Sequence, residues 1–140
     1  MPRVGIVTPY LQDETTWAAL HVAEVAASCG IKPSIFAYNA FSLPVSGAWD
    51  HKVKRGRLRD FRKWARGCDK LIWFLCPPLD LLIWTKHECI ESTIVIVWDR
   101  LVADHFQSLA AVDRLVAPFK CVGHTIARIT TGKLKPLVIP

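Results

Sequence analysis

Asp99 stands between Trp98 and Arg100, directly after the apolar run Thr93-Ile94-Val95-Ile96-Val97. A carboxylate at the carboxyl end of a buried strand faces the crevice in which open parallel sheets hold their ligands. There it can accept a proton from a hydroxyl, and Arg100 places a cation beside it. A helix cap or an ordinary ion pair would use the same residues, so Asp99 is a candidate catalytic group set against a structural one.

A second concentration of chemistry lies upstream. Lys52, Lys54, Arg55, Arg57, Arg59, Arg62, Lys63 and Arg66 fall between His51 and Arg66, with Asp60 the one acid among them. Leu58, Phe61 and Ala65 recur at helical spacing within the same stretch, which predicts an amphipathic helix with a basic face and a basic lead-in. Each cation beside an anionic leaflet contributes about 1 kcal/mol, so Lys52, Lys54, Arg55, Arg59, Arg62, Lys63 and Arg66 are candidate contacts to a membrane surface or an anionic acceptor. Nucleic-acid phosphates are a weaker alternative, and a merely solvated helix face is the bland one.

Other chemistries lack their residues. The turn after Val4-Gly5-Ile6-Val7-Thr8 reads Pro9-Tyr10-Leu11-Gln12-Asp13-Glu14, with no glycine and two acids, so it has neither a dinucleotide fingerprint nor a phosphate loop. The histidines His21, His51, His87, His105 and His124 show no paired ligand spacing, and no metal site is expected. No G-x-S-x-G nucleophile turn is present. The cysteines Cys29, Cys68, Cys76, Cys89 and Cys121 form no C-x-x-C pair and read as small buried residues of a reducing compartment. Trp73 and Trp84 read as packing residues, whereas Trp17, Trp49 and Trp98 lie near element ends, where an indole can stack on a sugar ring or a base.

These groups must be positioned by an alternation of strands and helices. Strands are expected at Val4 to Thr8, Ser34 to Tyr38, Leu71 to Leu75, Thr93 to Val97, Arg114 to Ala117 and Leu137 to Ile139, with a short edge strand near Asp50 to Val53. Helices are expected from Thr15 or Thr16 to Cys29 with a stop at Gly30, from Gly56 to Arg66, from Leu79 to about Glu88 behind Pro77-Pro78, from Val102 to Ala111 and from Lys120 to Thr130. Continuous rather than alternating apolar strands mean burial on both faces. The expected architecture is one α/β domain spanning 1–140, a doubly wound, mostly parallel Rossmann-like sheet with helices on both faces. The rim beyond the strand ends then comprises Thr8, Pro9, Tyr10, Tyr38, Asn39, Cys76, Pro77, Trp98, Asp99, Arg100, Ala117 and Pro118.

Composition bounds the setting. With 140 residues, 51% hydrophobic and 21% charged, the chain belongs to neither the disordered nor the membrane-spanning class, and no apolar run reaches the ~18 residues of a span. Met1-Pro2-Arg3 runs straight into a strand-like segment without a signal-peptide pattern. A cytoplasmic protein is expected, peripheral at the inner membrane face if the basic segment is used.

Four stretches, in order, resemble the N-terminal half of glycosyltransferases of the B fold, closest to the large family 4 of retaining sugar-nucleotide enzymes. They are Val4-Gly5-Ile6-Val7-Thr8-Pro9 with the Ala-rich helix after it, Asp69-Lys70-Leu71-Ile72-Trp73-Phe74, Thr93-Ile94-Val95-Ile96-Val97-Trp98-Asp99, and Lys135-Pro136-Leu137-Val138-Ile139-Pro140. The third resembles the family strand ending in His-Asp, with Trp98 in place of the histidine; the first loop lacks the family's Gly-Gly pair. The resemblance implies an acceptor-binding domain of a hexosyltransferase, with Asp99 acting on an acceptor hydroxyl and Thr8, Tyr10, Asn39, Trp98 and Arg100 lining the cleft. It implies no cofactor in this domain, a sugar or lipid-linked acceptor, and a nucleotide-sugar donor held by a C-terminal domain beyond Pro140, without which this chain is inactive. The competing reading is a non-catalytic Rossmann-like module whose basic helix binds nucleic acid or a protein partner.

Overall fold

Continuous apolar runs become parallel strands here, because a strand covered on both faces has no solvent side to which it could turn polar residues. The computed structural model describes residues 2–8, 14–38, 53–74, 77–95, 110–117, 124, 127–128 and 137–138. Along the chain these form β1 (Arg3–Thr8), α1 (Glu14–Ser28), β2 (Lys32–Tyr38), β3 (Val53–Gly56), α2 (Leu58–Ala65), β4 (Lys70–Trp73), α3 (Leu79–His87), β5 (Glu91–Val95), β6 (Arg114–Ala117) and β7 (Leu137–Val138). The strands make one seven-stranded sheet in the order β3-β2-β1-β4-β5-β6-β7. Every pairing is parallel. The fold is α/β and Rossmann-like.

Alternation along the strands sorts the core into two layers. Val4 and Ile6 point to one face, where they meet Ile35, Phe74 and the Ala19 and Ala23 side of α1. Val7 points to the other, with Phe36, Leu71, Trp73 and Ile94, and is covered by Phe61 and Ala65 of α2 and by Leu81 and Leu82 of α3. Helices thus lie on both faces, as a doubly wound sheet requires. Buried hydrogen bonds fix α3 on its strand: Ser92 Oγ donates to Thr85 Oγ1 at 3.2 Å, and Thr85 Oγ1 donates to the Leu82 carbonyl at 2.7 Å.

Gly5 is the tightest point in β1. A Cβ there would lie 2.7 Å from each of Cys68 Sγ, Leu71 Cδ2 and Trp64 Cη2, which is closer than atoms approach without displacement. The absent side chain lets the segment between α2 and β4 close onto the central strand. At the same end, Arg3 N–H donates to Asp69 Oδ2 at 2.8 Å and Asp69 N–H returns a bond to the Arg3 carbonyl at 2.9 Å.

Several sequence expectations shift. The edge strand lies at Val53–Gly56, not around Asp50 to Val53, and α2 begins at Leu58 rather than Gly56, because Val53 to Gly56 pair with Ile35 to Tyr38. β2 begins at Lys32, two residues before the expected Ser34. Pro33 lies inside it opposite Val4 of β1, and among the described residues the pairing with β3 starts at Ile35. The Ala- and Val-rich sequence of α1 predicts burial almost all round, but while Ala19 and Ala23 are buried, Val25 is half exposed. The cysteine expectation holds for Cys68, whereas Cys29 and Cys89 are exposed. Both follow the ends of helices, where the chain must leave the surface layer. Gly30 ends α1 at φ 77°, the left-handed stop expected of it; Cys89 ends α3 at φ 60°, a conformation that disfavours a side chain. Helical residues at 110–111, 124 and 127–128 fall within the two helices expected near the carboxyl end.

Two outcomes follow from this packing. Gly5→Ala should destabilise the fold by about 1–3 kcal/mol in denaturant unfolding, as overpacking does in a tight core; an unchanged midpoint would refute the close approach. Burial, then the Asp69 carboxylate, push the Cys68 thiol from 9.0 up to about 11, with Arg3 opposing. The unfolded chain therefore loses this proton first, and the site costs stability as pH rises from 9.0 towards about 11. At neutral pH an alkylating reagent should modify Cys29 and Cys89 well before Cys68, which should react only on unfolding.

Candidate functional site

The sheet order reverses direction between β1 and β4, whose connections run over opposite faces. Beyond the carboxyl ends of these two strands lies the switch point at which such sheets bind ligands. Thr8 closes β1 and is fully buried. Phe74 N–H donates to the Val7 carbonyl at 2.9 Å, carrying the pairing one residue past β4. Pro77 is buried, and Pro78, at φ −57° and ψ 145°, leads into α3. Of the residues expected to line this crevice, Thr8 is placed at its floor. Tyr10, Asn39, Trp98, Asp99 and Arg100 lie outside the described residues, as does Lys52.

Just below the crevice, Trp73 is fully enclosed and its Nε1–H has no acceptor among the described residues. Its ring lies 5.2 Å from that of Phe61. An unpaired buried donor costs about 1–3 kcal/mol. Among the described residues, Arg62 Nε is the other buried side-chain polar atom without a partner.

The second region is α2. Gly56 closes β3, and Asp60 folds back into the space a side chain there would fill, since a Cβ would stand 2.7 Å from Asp60 Cβ. This lets Asp60 Oδ2 accept the Arg57 N–H at 3.0 Å, tying the helix start with the acid that suits a helix N-terminus. Phe61 and Ala65 turn inward and are fully buried. Trp64 turns partly inward: its Nε1–H donates to Ser34 Oγ at 2.8 Å, and its ring lies 5.2 Å from Phe36.

With the apolar side held down, the remaining positions face water. Arg59, Lys63 and Arg66 are exposed and Arg62 is half buried. Together with Asp60 they line a concave space of about 770 Å³. Arg62 and Arg66 both lie over Trp84 of α3, with guanidinium carbons 5.8 and 5.7 Å from the ring centroid. Arg66 also reaches Glu88 at 3.7 Å. Among the described residues, Arg59, Arg62 and Lys63 have no carboxylate partner. Lys54 and Arg55, expected on the helical lead-in, belong instead to edge strand β3, where charge discourages pairing with another chain. The structure thus gathers Arg59, Arg62, Lys63 and Arg66 on one face and assigns Lys54 and Arg55 to a different element.

Sequence reasoning missed Trp84 as part of this region. In sequence it reads as a packing tryptophan on another helix, and only the packing of α2 beside α3 brings it under two arginines. Among the described residues no helix is long and apolar enough to cross a membrane, and no group of three or more His, Cys, Asp and Glu could hold a metal. The chain matches no protein-family model and no curated protein.

Removing the Asp60 side chain tests the bond at the helix start. Asp60→Ala should lower stability by about 1 kcal/mol through loss of the helix-start bond, read from a thermal or denaturant transition. No change would mean that the Arg57 N–H finds water equally good.

Proposed function

We propose that this chain is the acceptor-side domain of a sugar-nucleotide glycosyltransferase, binding a hydroxyl-bearing sugar or lipid-linked acceptor beyond the carboxyl ends of its strands. The observation that carries this reading is the sheet order. The four family-like stretches fall on β1, β4, β5 and β7, so the first three lie side by side around the switch point. Thr8 ends the first of these strands, and Trp98-Asp99-Arg100 follows the third in the chain within five residues of Val95. In the proposed mechanism Asp99 accepts the proton of the attacking acceptor hydroxyl or orients that hydroxyl. Arg100, Trp98, Tyr10 and Asn39 line the acceptor. The nucleotide-sugar donor is held by a second domain, with which this one must be joined for turnover.

A second reading rests on a separate observation, the cationic face of α2. A non-catalytic module could use that face for nucleic acid or an acidic protein. An extended polyanion would make several phosphate contacts, so its affinity would fall steeply with salt.

The two readings part at one substitution. Asp99→Asn in the enzyme that joins this domain to its donor-binding half should lower kcat by about a hundredfold or more, as expected for loss of a positioned base, with the unfolding transition unmoved. Unaltered turnover would remove Asp99 from the mechanism.

A further inference from the structure

The face of α2 carries more than net charge. Arg62 and Arg66 are one helical turn apart and share a single aromatic platform, the ring of Trp84. Stacking on an indole restrains a guanidinium that would otherwise sample many rotamers, so less freedom remains to be lost on binding. The Glu88 contact at 3.7 Å restrains Arg66 further without enclosing it, since its side chain remains 60% exposed. Arg62 is half-buried and, among the described residues, has no carboxylate partner. Arg59 and Lys63 flank the pair on the same concave surface. Among the described residues the acids here are Asp60, whose Oδ2 is engaged by the Arg57 N–H, and Glu88, which meets Arg66.

We infer that this concavity on α2 is a binding site for a phosphate or diphosphate group, gripped by the guanidinium forks of Arg62 and Arg66 and flanked by Arg59 and Lys63. The planar fork matches phosphate oxygens in a bidentate way that an ammonium cannot reproduce. A diphosphate suits four cations better than a single carboxylate does, because it spreads two or more charges over a comparable span. Insertion into a bilayer is disfavoured, since the apolar side of α2 (Phe61, Ala65) is turned into the core. Base stacking is disfavoured as well, because the aromatic ring at the site is already covered by two arginines. The group recognised is therefore the phosphate itself, presented either free on a small molecule or on a lipid headgroup. The inference does not depend on the transferase reading, since none of these residues belongs to the strand-end rim on which that reading rests.

Titrating the 140-residue chain with inorganic pyrophosphate at low salt should give saturable, one-to-one binding by calorimetry. The double variant Arg62→Lys/Arg66→Lys keeps the net charge but removes both forks. It should weaken that binding by roughly tenfold or more. Arg59→Gln/Lys63→Gln, on exposed positions, should weaken it by a smaller factor and serves if the first variant folds poorly. Cosedimentation with phosphatidylcholine vesicles, with and without phosphatidylglycerol, distinguishes the source. Binding to the anionic vesicles that weakens with the arginine-to-lysine change assigns a headgroup phosphate. Pyrophosphate binding without vesicle binding assigns a free phosphate ester. The inference is overturned if neither probe binds, if the lysine variant binds both as the parent does, or if only a nucleic acid binds.

Discussion

Phe61 has no exposed surface, and the rings of Phe36, Trp64, Trp73 and Trp84 lie between 5.2 and 6.3 Å from its own. These rings come from β2, β4, α3 and α2 itself, so one side chain is the point at which three other elements hold α2 against the sheet. Aromatic pairs at such distances add about 0.5–1.5 kcal/mol each beyond the area they bury. The Trp64 indole bond to Ser34 fixes the rotation of the helix about its own axis. Once that rotation is set, Arg59, Lys63 and Arg66 have nowhere to go but outward. The cationic surface is thus a consequence of the aromatic core rather than an independent feature.

The same constraint reaches the strand-end crevice. Trp73 lies on β4 beside the switch point, and its ring is held by the one that anchors α2. Gly5, one strand across, leaves space for Trp64, Leu71 and Cys68 to meet over β1. The central strand, the cationic helix and the floor of the crevice therefore share one layer of packing. A change in any of these residues is felt in both candidate regions, which is why surface variants of the arginines separate function from folding better than core variants do.

The rim at the amino ends of the strands is built from exposed charge. Lys70 meets Glu91 at 3.5 Å and Glu91 meets Arg114 at 3.1 Å, bridging β4, β5 and β6. Such exposed pairs contribute little individually, a median of about 0–1 kcal/mol. Lys70 and Glu91 are direct partners in the register that the buried residues of β4 and β5 fix. Ser92 N–H donates to Asp113 Oδ2 at 2.8 Å and Asp113 N–H to the Ser92 carbonyl at 3.1 Å, tying the approach to β6 to β5.

Much of the architecture was legible from residue order alone. Continuous runs such as Val4 to Thr8 and Leu71 to Leu75 predict buried strands, found at Arg3–Thr8 and Lys70–Trp73, and the helices between them specify parallel pairing. Gly30 marked the end of α1, and the Arg114 to Ala117 strand has the limits its residues suggest. Phe61 and Ala65 at helical spacing marked the inward side of α2. What the residues in line could not decide was where β3 ends and α2 begins, because Lys54, Arg55 and Arg57 carry the same charge on either element; pairing with Ile35 to Tyr38 decides it. Nor could they reveal that Trp84 would lie beneath Arg62 and Arg66, since local periodicity carries no information about a contact between two helices. Composition and periodicity determine which face of an element is apolar, because burial of apolar surface is a local preference of each residue. The convergence of charged side chains on one aromatic ring was decided only by tertiary structure, because it requires elements distant in the chain to be packed first.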